Sequence, residues 1–310
     1  MLQDIFPLEF NNHYDPGKRA DKKSLLIVMR GEISQREVLL KVCDDNTFFF
    51  PTLGDFLERF GNAGDKEGVD VISKLDDKLT YLFSIGEDDF YMPVDLKEEV
   101  PEITDDKGCG YKYYLMQNIR RENKEPQHYV FAMYTAFHLY EWYVSQAYCG
   151  KCGKPMKNDD TERARVCTCC GYKAYPRINP AVIIGVTDKE SNRILLTKYR
   201  TGFAQNALVA GFTEIGETLE ETVKREVMEE VGLKVTNIRY YKSQPWGIAS
   251  DILAGFYCDV DGDKDIRMDE SELKYAEWVA PEDIVLQTTN YSLTNEMMRL
   301  FKEKGYEGSL

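Results

Sequence analysis

The sequence over Gly211–Leu233, GFTEIGETLEETVKREVMEEVGL, sets the reading of the whole chain. Its spacing predicts a helix from near Thr218 to about Val231. At 3.6 residues per turn, Glu226, Glu229 and Glu230 stand at i, i+3 and i+4 and share one face. Carboxylates that close repel one another, so a cation is expected among them. Oxygen donors with no His or Cys beside them point to Mg²⁺ or Mn²⁺. A run of acidic residues is more often a solvated helix face. Three details separate this run from that ordinary case. Gly211 and Gly216 bracket a predicted loop before the helix. Gly232 stands where a C′ glycine ends one. Arg225 follows Glu217 at a spacing suited to tie the loop's carboxylate to the helix. Seven specified residue types at this spacing arise by chance on the order of once in 10⁵ to 10⁶ chains of this length, which argues against coincidence.

These residues match, at every defined position, the Nudix box G-x5-E-x7-R-E-U-x-E-E-x-G-U, and in this stretch the chain resembles the Nudix hydrolase superfamily. The resemblance implies an α/β/α sandwich and hydrolysis of a nucleoside diphosphate linked to another moiety. It implies divalent cations held by Glu226, Glu229 and Glu230, with Glu272 of the Asp269–Glu272 loop as a further ligand. Glu217 would position Arg225 rather than bind metal. Water activated by the metal would attack phosphorus, with Glu230 as the candidate general base and no side-chain nucleophile. Tyr175 and Phe212 match family positions that sandwich a ring of the bound nucleotide; plain packing is the alternative for both.

The segment Ser243-Gln244-Pro245-Trp246 narrows the substrate. It resembles the start of SQPWPFPxS, a signature that follows the box in NADH pyrophosphatases. The wider order matches too: a degenerate N-terminal domain, an aromatic helix, a four-cysteine ribbon, Tyr175-Pro176-Arg177, then the box. A Trp and a Gln beside a proline suit stacking on a ring and hydrogen-bonding its edge, with a packed core Trp246 as the alternative. The sequence departs from the signature at Gly247-Ile248-Ala249, where it has Pro-Phe-Pro, and at Asp251, where it has Ser. A more flexible loop is expected there. That bears on dinucleotide preference and leaves pyrophosphate cleavage untouched. The resemblance implies cleavage of NAD(H) to AMP and nicotinamide mononucleotide, with NAD-capped RNA 5′ ends as a second substrate, and a homodimer. Two alternatives stay open. One is a broader Nudix hydrolase for ADP-ribose or other nucleoside diphosphate derivatives. The other is a silent nucleotide-binding regulatory protein.

A length of 310 residues suggests two domains with a small extra module. The net charge of −14 argues against a passive nucleic-acid coat. It also means that bound cations and local Arg or Lys must attract a phosphate substrate. The opening MLQDIFPLEF has no basic region and no long apolar run, so no signal peptide is expected, and no stretch is apolar enough to predict a membrane span. Of eight cysteines, five cluster, while Cys43, Cys109 and Cys258 stand apart. That is no disulfide framework, and a reducing cytoplasm is expected. His13, His128 and His138 have neither metal nor catalytic spacing.

Residues 1–125 are expected to form an α+β domain. Ser24–Met29 and Val38–Val42 read as strands, Phe48–Phe50 as a strand or turn, and Leu53–Phe60 as a short helix. Leu79–Ile85 and Phe90–Val94 read as a hairpin, with loops at 61–68 and 97–107. Tyr111–Met116 fits either a strand or a helix start. Residues 126–174 hold a connecting helix and a ribbon. The helix, 127–147, is apolar on nearly all sides and should be buried, as a packing helix. Cys149-x2-Cys152 and Cys167-x2-Cys170 are a strong structural-zinc signal, because four thiolates close a tetrahedral Zn²⁺ to water. Cys169 either replaces a neighbour or is spare, and Cys170 is preferred because it keeps the two-residue spacing before Gly171. Residues 175–310 form the expected sandwich. Its strands are Ala181–Val186, Arg193–Tyr199, Leu208–Ala210, Val235–Ser243, Ile252–Val260 and Tyr275–Val279, and Ser292–Lys304 is a terminal helix.

Overall fold

The computed structural model describes residues 1–60, 75, 78–94, 99–104, 109–201 and 205–310. The predicted loop at 61–68 and parts of that at 97–107 lie outside the described residues. The chain divides into two compact units, residues 4–177 and residues 178–310 with Met1–Gln3.

In the first unit a four-stranded sheet takes β1 (Phe10–Asn11), β2 (Leu25–Leu26), β6 (Leu79–Ile85) and β7 (Asp88–Pro93) in the order β1-β6-β7-β2. A second sheet is built from β3 (Met29–Arg30), β4 (Glu37–Val42), β5 (Phe48–Phe49), β8 (Ile103–Thr104) and β9 (Gly110–Leu115). The run read as one strand at Ser24–Met29 is therefore two. Leu25–Met29 are all buried, and the run passes from one sheet to the other, where continuous apolar sequence is needed on both sides. The ambiguous Tyr111–Met116 resolves as both alternatives: β9 ends at Leu115 and a short helix, α2 (Met116–Arg121), starts at once. Helix α1 (Leu53–Phe60) turns Leu53, Phe56 and Phe60 into a core that includes Leu26, Leu39 and Tyr91.

Helix α3 (Gln127–Ser145) buries Val130, Phe131, Tyr134, Phe137, Leu139, Trp142 and Tyr143, as its all-round apolar sequence requires. The ribbon follows as three short antiparallel strands: β10 (Met156–Asn158), β11 (Arg165–Cys167) and β12 (Lys173–Ala174). Its buried cluster is only Cys149, Met156, Cys167 and Ala174. So small a core cannot hold a fold alone, which is the situation that a structural metal resolves.

The second unit is a sheet in the order β16-β17-β13-β14-β18, with β15 paired to β13. Its strands are β13 (Asn179–Asp188), β14 (Arg193–Tyr199), β15 (Val209–Phe212), β16 (Val235–Trp246), β17 (Asp251–Val260) and β18 (Leu273–Val279). All pairs are antiparallel except β13 with β17. Strand alternation sends side chains to opposite faces. Val182, Ile184 and Val186 pack under helix α4 (Leu219–Val231) through Val223, Val227 and Val231. Ala181 and Ile183 pack on the other face with Leu293, Met297, Met298 and Phe301 of helix α5 (Leu293–Lys304). A sheet covered on both faces by helices is the expected sandwich. Met1–Gln3 joins it: the Leu2 N–H donates to the Tyr291 carbonyl at 3.0 Å, and Leu2 is buried. Among the described residues no helix is long and apolar enough to cross a membrane.

Candidate active site

Helix α4 starts where the sequence places it. Thr218 caps it, with the Glu221 N–H donating to Thr218 Oγ1 at 3.2 Å and the Thr218 N–H donating to Glu221 Oε2 at 2.8 Å. It ends at Gly232, whose φ of 69° is the left-handed value that a C′ glycine supplies. Gly211 lies at the end of β15 and not in the predicted loop, which shortens to the residues after Phe212. A Cβ at residue 211 would fall 1.9 Å from Glu226 Cδ, so the Glu226 carboxylate rests directly on the glycine backbone.

Arg225 sits among the carboxylates. Its Nε donates to Glu217 Oε1 at 2.6 Å and its Nη2 to Glu217 Oε2 at 2.9 Å, a bidentate pair. Nη1 reaches Glu226 Oε1 at 2.7 Å and Glu229 Oε2 at 2.9 Å, and Nη2 also donates to the Phe212 carbonyl at 2.8 Å. The arginine thus ties loop to helix, as its spacing predicts, and also partly neutralises two residues of the acidic face, which the spacing does not reveal. The Arg225 bonds hold the Glu217 carboxyl down to about 2. Glu230 has a different environment. It is buried, accepts from the Tyr199 hydroxyl at 3.2 Å, and burial pushes its carboxyl up to about 8, with Glu226 and Glu272 adding repulsion. Burial also raises Glu226. Glu272 reaches this neighbourhood through backbone bonds: the Arg267 and Asp269 N–H groups donate to the Val231 and Glu230 carbonyls at 2.9 and 2.8 Å, stapling the loop to the end of α4. The Arg200 N–H then donates to the Glu272 carbonyl at 2.9 Å. Glu226 and Glu230, raised by burial and by repulsion from Glu272, offer the oxygen donors that suit a hard divalent cation, although among the described residues only the four cysteines lie close enough together to form a ready ligand set.

The segment expected to read the substrate is built differently. Gln244 is fully buried in the protein, which corrects its assignment to the substrate. Its Nε2 donates to the Tyr291 carbonyl at 2.7 Å and to Gln3 Oε1 at 3.0 Å, and its Oε1 accepts from the Leu293 N–H at 2.7 Å. The amide is spent on the start of α5. Trp246 packs partly buried against the core beneath α5. The expected flexible loop at 244–251 is instead a hairpin end: β16 runs on to Trp246, which pairs with Asp251 across a turn at 247–250. Pro245 is accommodated because β16 is an edge strand. Phe212 is exposed in this unit. Tyr175, in the other unit, is exposed too, with its hydroxyl on Glu162 Oε1 at 3.1 Å.

Cys149, Cys152, Cys167 and Cys170 bring their Sγ atoms within 4.8 Å of one another, with separations of 3.4–3.7 Å for three pairs. Zn–S bonds of about 2.3 Å in a tetrahedron require S···S distances of about 3.8 Å, so the thiols fit the ion. Backbone N–H groups of Cys170 and Cys169 donate to Cys167 Sγ at 3.4 Å and hold that thiol down to about 6. Cys169 stays exposed, outside the set.

The model of the NADH pyrophosphatase zinc ribbon domain matches residues 145–175, and that of the NUDIX domain matches residues 177–301. The chain is 42% identical over 151 residues to the NAD-capped RNA hydrolase NudC of Klebsiella pneumoniae (strain 342), covering 48% of this chain and 57% of that protein. The NudC of Escherichia coli O9:H4 (strain HS) matches at the same identity and coverage, 42%, 48% and 57%. The chain thus spans little more than half the length of the curated relatives it matches. A NUDIX hydrolase structure from Nitrosomonas europaea overlaps 52% of this chain and 93% of its own, at 22% identity and a TM-score of 0.45. With the box helix and the four thiols inside the matched residues, the chain carries a Nudix domain and, before it, a zinc ribbon domain of the NADH pyrophosphatase type.

Proposed function

We propose that the chain hydrolyses the pyrophosphate of NAD(H), giving AMP and nicotinamide mononucleotide, and cleaves the same bond at the NAD-capped 5′ ends of RNA, releasing nicotinamide mononucleotide and leaving a 5′-monophosphate. The carboxylate cluster on one face of α4, together with relatives bearing the name NAD-capped RNA hydrolase, carries this reading. Glu226, Glu229, Glu230 and Glu272 would hold Mg²⁺ or Mn²⁺. A cation held there would supply charge to offset the pyrophosphate and would acidify bound water. Glu217 and Arg225 fix the loop against the helix. Glu230 is the candidate to accept a proton from the attacking water. Phe212 exposes a ring for a base beside the box helix, and the protein would work as a homodimer in the cytoplasm.

The inward-facing Gln244 and the Gly247-Ile248-Ala249 turn favour a second reading, a broader nucleoside diphosphate hydrolase that includes ADP-ribose. One assay separates the two: the protein with Mg²⁺ or Mn²⁺ against NADH, NAD⁺, ADP-ribose, FAD, diadenosine polyphosphates and an NAD-capped transcript. Faster turnover of NADH and release of the cap support the first reading. A clear preference for ADP-ribose supports the second, and no turnover of any compound removes the enzyme. Glu229→Gln is expected to lower kcat at least about 100-fold while leaving the circular dichroism spectrum unchanged.

A further inference from the structure

Tyr199 ends strand β14, away from the helix that carries the box. Its hydroxyl donates to Glu230 Oε1 at 3.2 Å and lies 3.5 Å from Oε2. Its pairing is irregular at this point. Lys198 faces Tyr275 on β18, but Tyr199 faces Leu273, so Lys274 is left over. The extra residue is on β18, so the bulge bends β18 and sets which of its residues faces the end of β14. One residue on, the Arg200 N–H holds the Glu272 carbonyl. The same end of β14 therefore serves a helix carboxylate and the backbone of a loop carboxylate. The Tyr199 ring packs against the buried cluster beneath α4, which fixes where its hydroxyl points.

We propose that Tyr199 is a positioning residue for the metal-dependent step: by donating to Glu230 it fixes the orientation of that carboxylate toward a divalent cation shared with the other box glutamates. The inference rests on the functional reading above. It gives the strand a part in the site that the box motif does not contain. The other group that bonds this carboxylate is the Ala210 backbone N–H, so loss of the tyrosine donor should leave Glu230 held at one point and let the carboxylate turn about it.

The test compares the full chain with Tyr199→Phe, Glu230→Gln and the double variant. Mn²⁺ binding is read directly from the electron paramagnetic resonance signal of free Mn²⁺, and NADH hydrolysis is followed as Mg²⁺ is titrated. Tyr199→Phe should weaken Mn²⁺ binding about tenfold and lower kcat, with KM for the nucleotide and the melting temperature in EDTA unchanged. In the Glu230→Gln background the same substitution should cost nothing further, because it acts through Glu230. Wild-type Mn²⁺ affinity in Tyr199→Phe, or losses that add in the double variant, would overturn the proposal alone. A parent chain that neither binds Mn²⁺ nor turns over any nucleotide overturns the functional reading and this inference with it.

Discussion

Gly211 has no room for a side chain because the Glu226 carboxylate lies where its Cβ would be. The requirement is one of space. Gly232 differs: there a left-handed backbone also makes any side chain strained. Gly211→Ala should therefore act on chemistry more than on folding. The β15–β13 pairing can persist while Glu226 swings away. A fall in kcat of about 100-fold is expected with a modest loss of melting temperature, measured by steady-state hydrolysis and thermal denaturation. A loss of stability with kcat intact would mean that Glu226 can leave its place without consequence. Arg225 adds a second residue-scale point. It already bonds Glu226 and Glu229, so a cation that binds these residues must share them with the guanidinium or displace it.

Among the elements, the box helix was the most legible. Its cap at Thr218, its stop at Gly232 and the shared face of Glu226, Glu229 and Glu230 all follow from local spacing. The knuckles were equally legible, since Cys-x2-Cys twice leaves little choice. Gln244 was misread because a motif specifies residue type and not direction. Whether its amide faces solvent or the start of α5 depends on Gln3 and Tyr291, far away in sequence. Tyr199 was invisible for a related reason. A bulge comes from the register of two distant strands, and no local pattern marks it. The ribbon offers the element-scale prediction. Cys170→Ser should lose zinc and Cys169→Ser should keep it, read as metal content by mass spectrometry after dialysis. Full zinc in Cys170→Ser would reassign the fourth ligand.

At the scale of the molecule, several carboxyls are held below their ordinary range by hydrogen bonds and cationic partners. Glu217 is one, down to about 2, and Asp188, Asp259 and Glu296 of the same unit are others. Asp159 and Glu162 in the other unit are lowered by Lys173. A carboxyl lowered in the folded state contributes stability above its unfolded pKa and loses it as pH falls toward the folded one. The window therefore opens below the ordinary carboxyl values of 3.8 to 4.5 and extends toward about 2. Glu230, raised to about 8, holds its proton more tightly folded than unfolded, so melting temperature should rise as pH drops from 8 toward 5 and then fall steeply below pH 4, as followed by circular dichroism. A midpoint unchanged at pH 3 would show these bonds to be without thermodynamic weight. The excess of negative charge in the chain works the other way as pH first drops, because self-repulsion eases before the bonds break.

The place of Met1–Gln3 in the unit that ends the chain has a consequence in time. Gln3 Oε1 accepts from Gln244, 241 residues later in the sequence. At a synthesis rate of about 5–20 residues per second, the opening residues wait roughly 10–50 s for that partner to be made. Leu2 waits longer still, for Tyr291. Residues 1–3 thus settle only after the intervening unit has its whole sequence available.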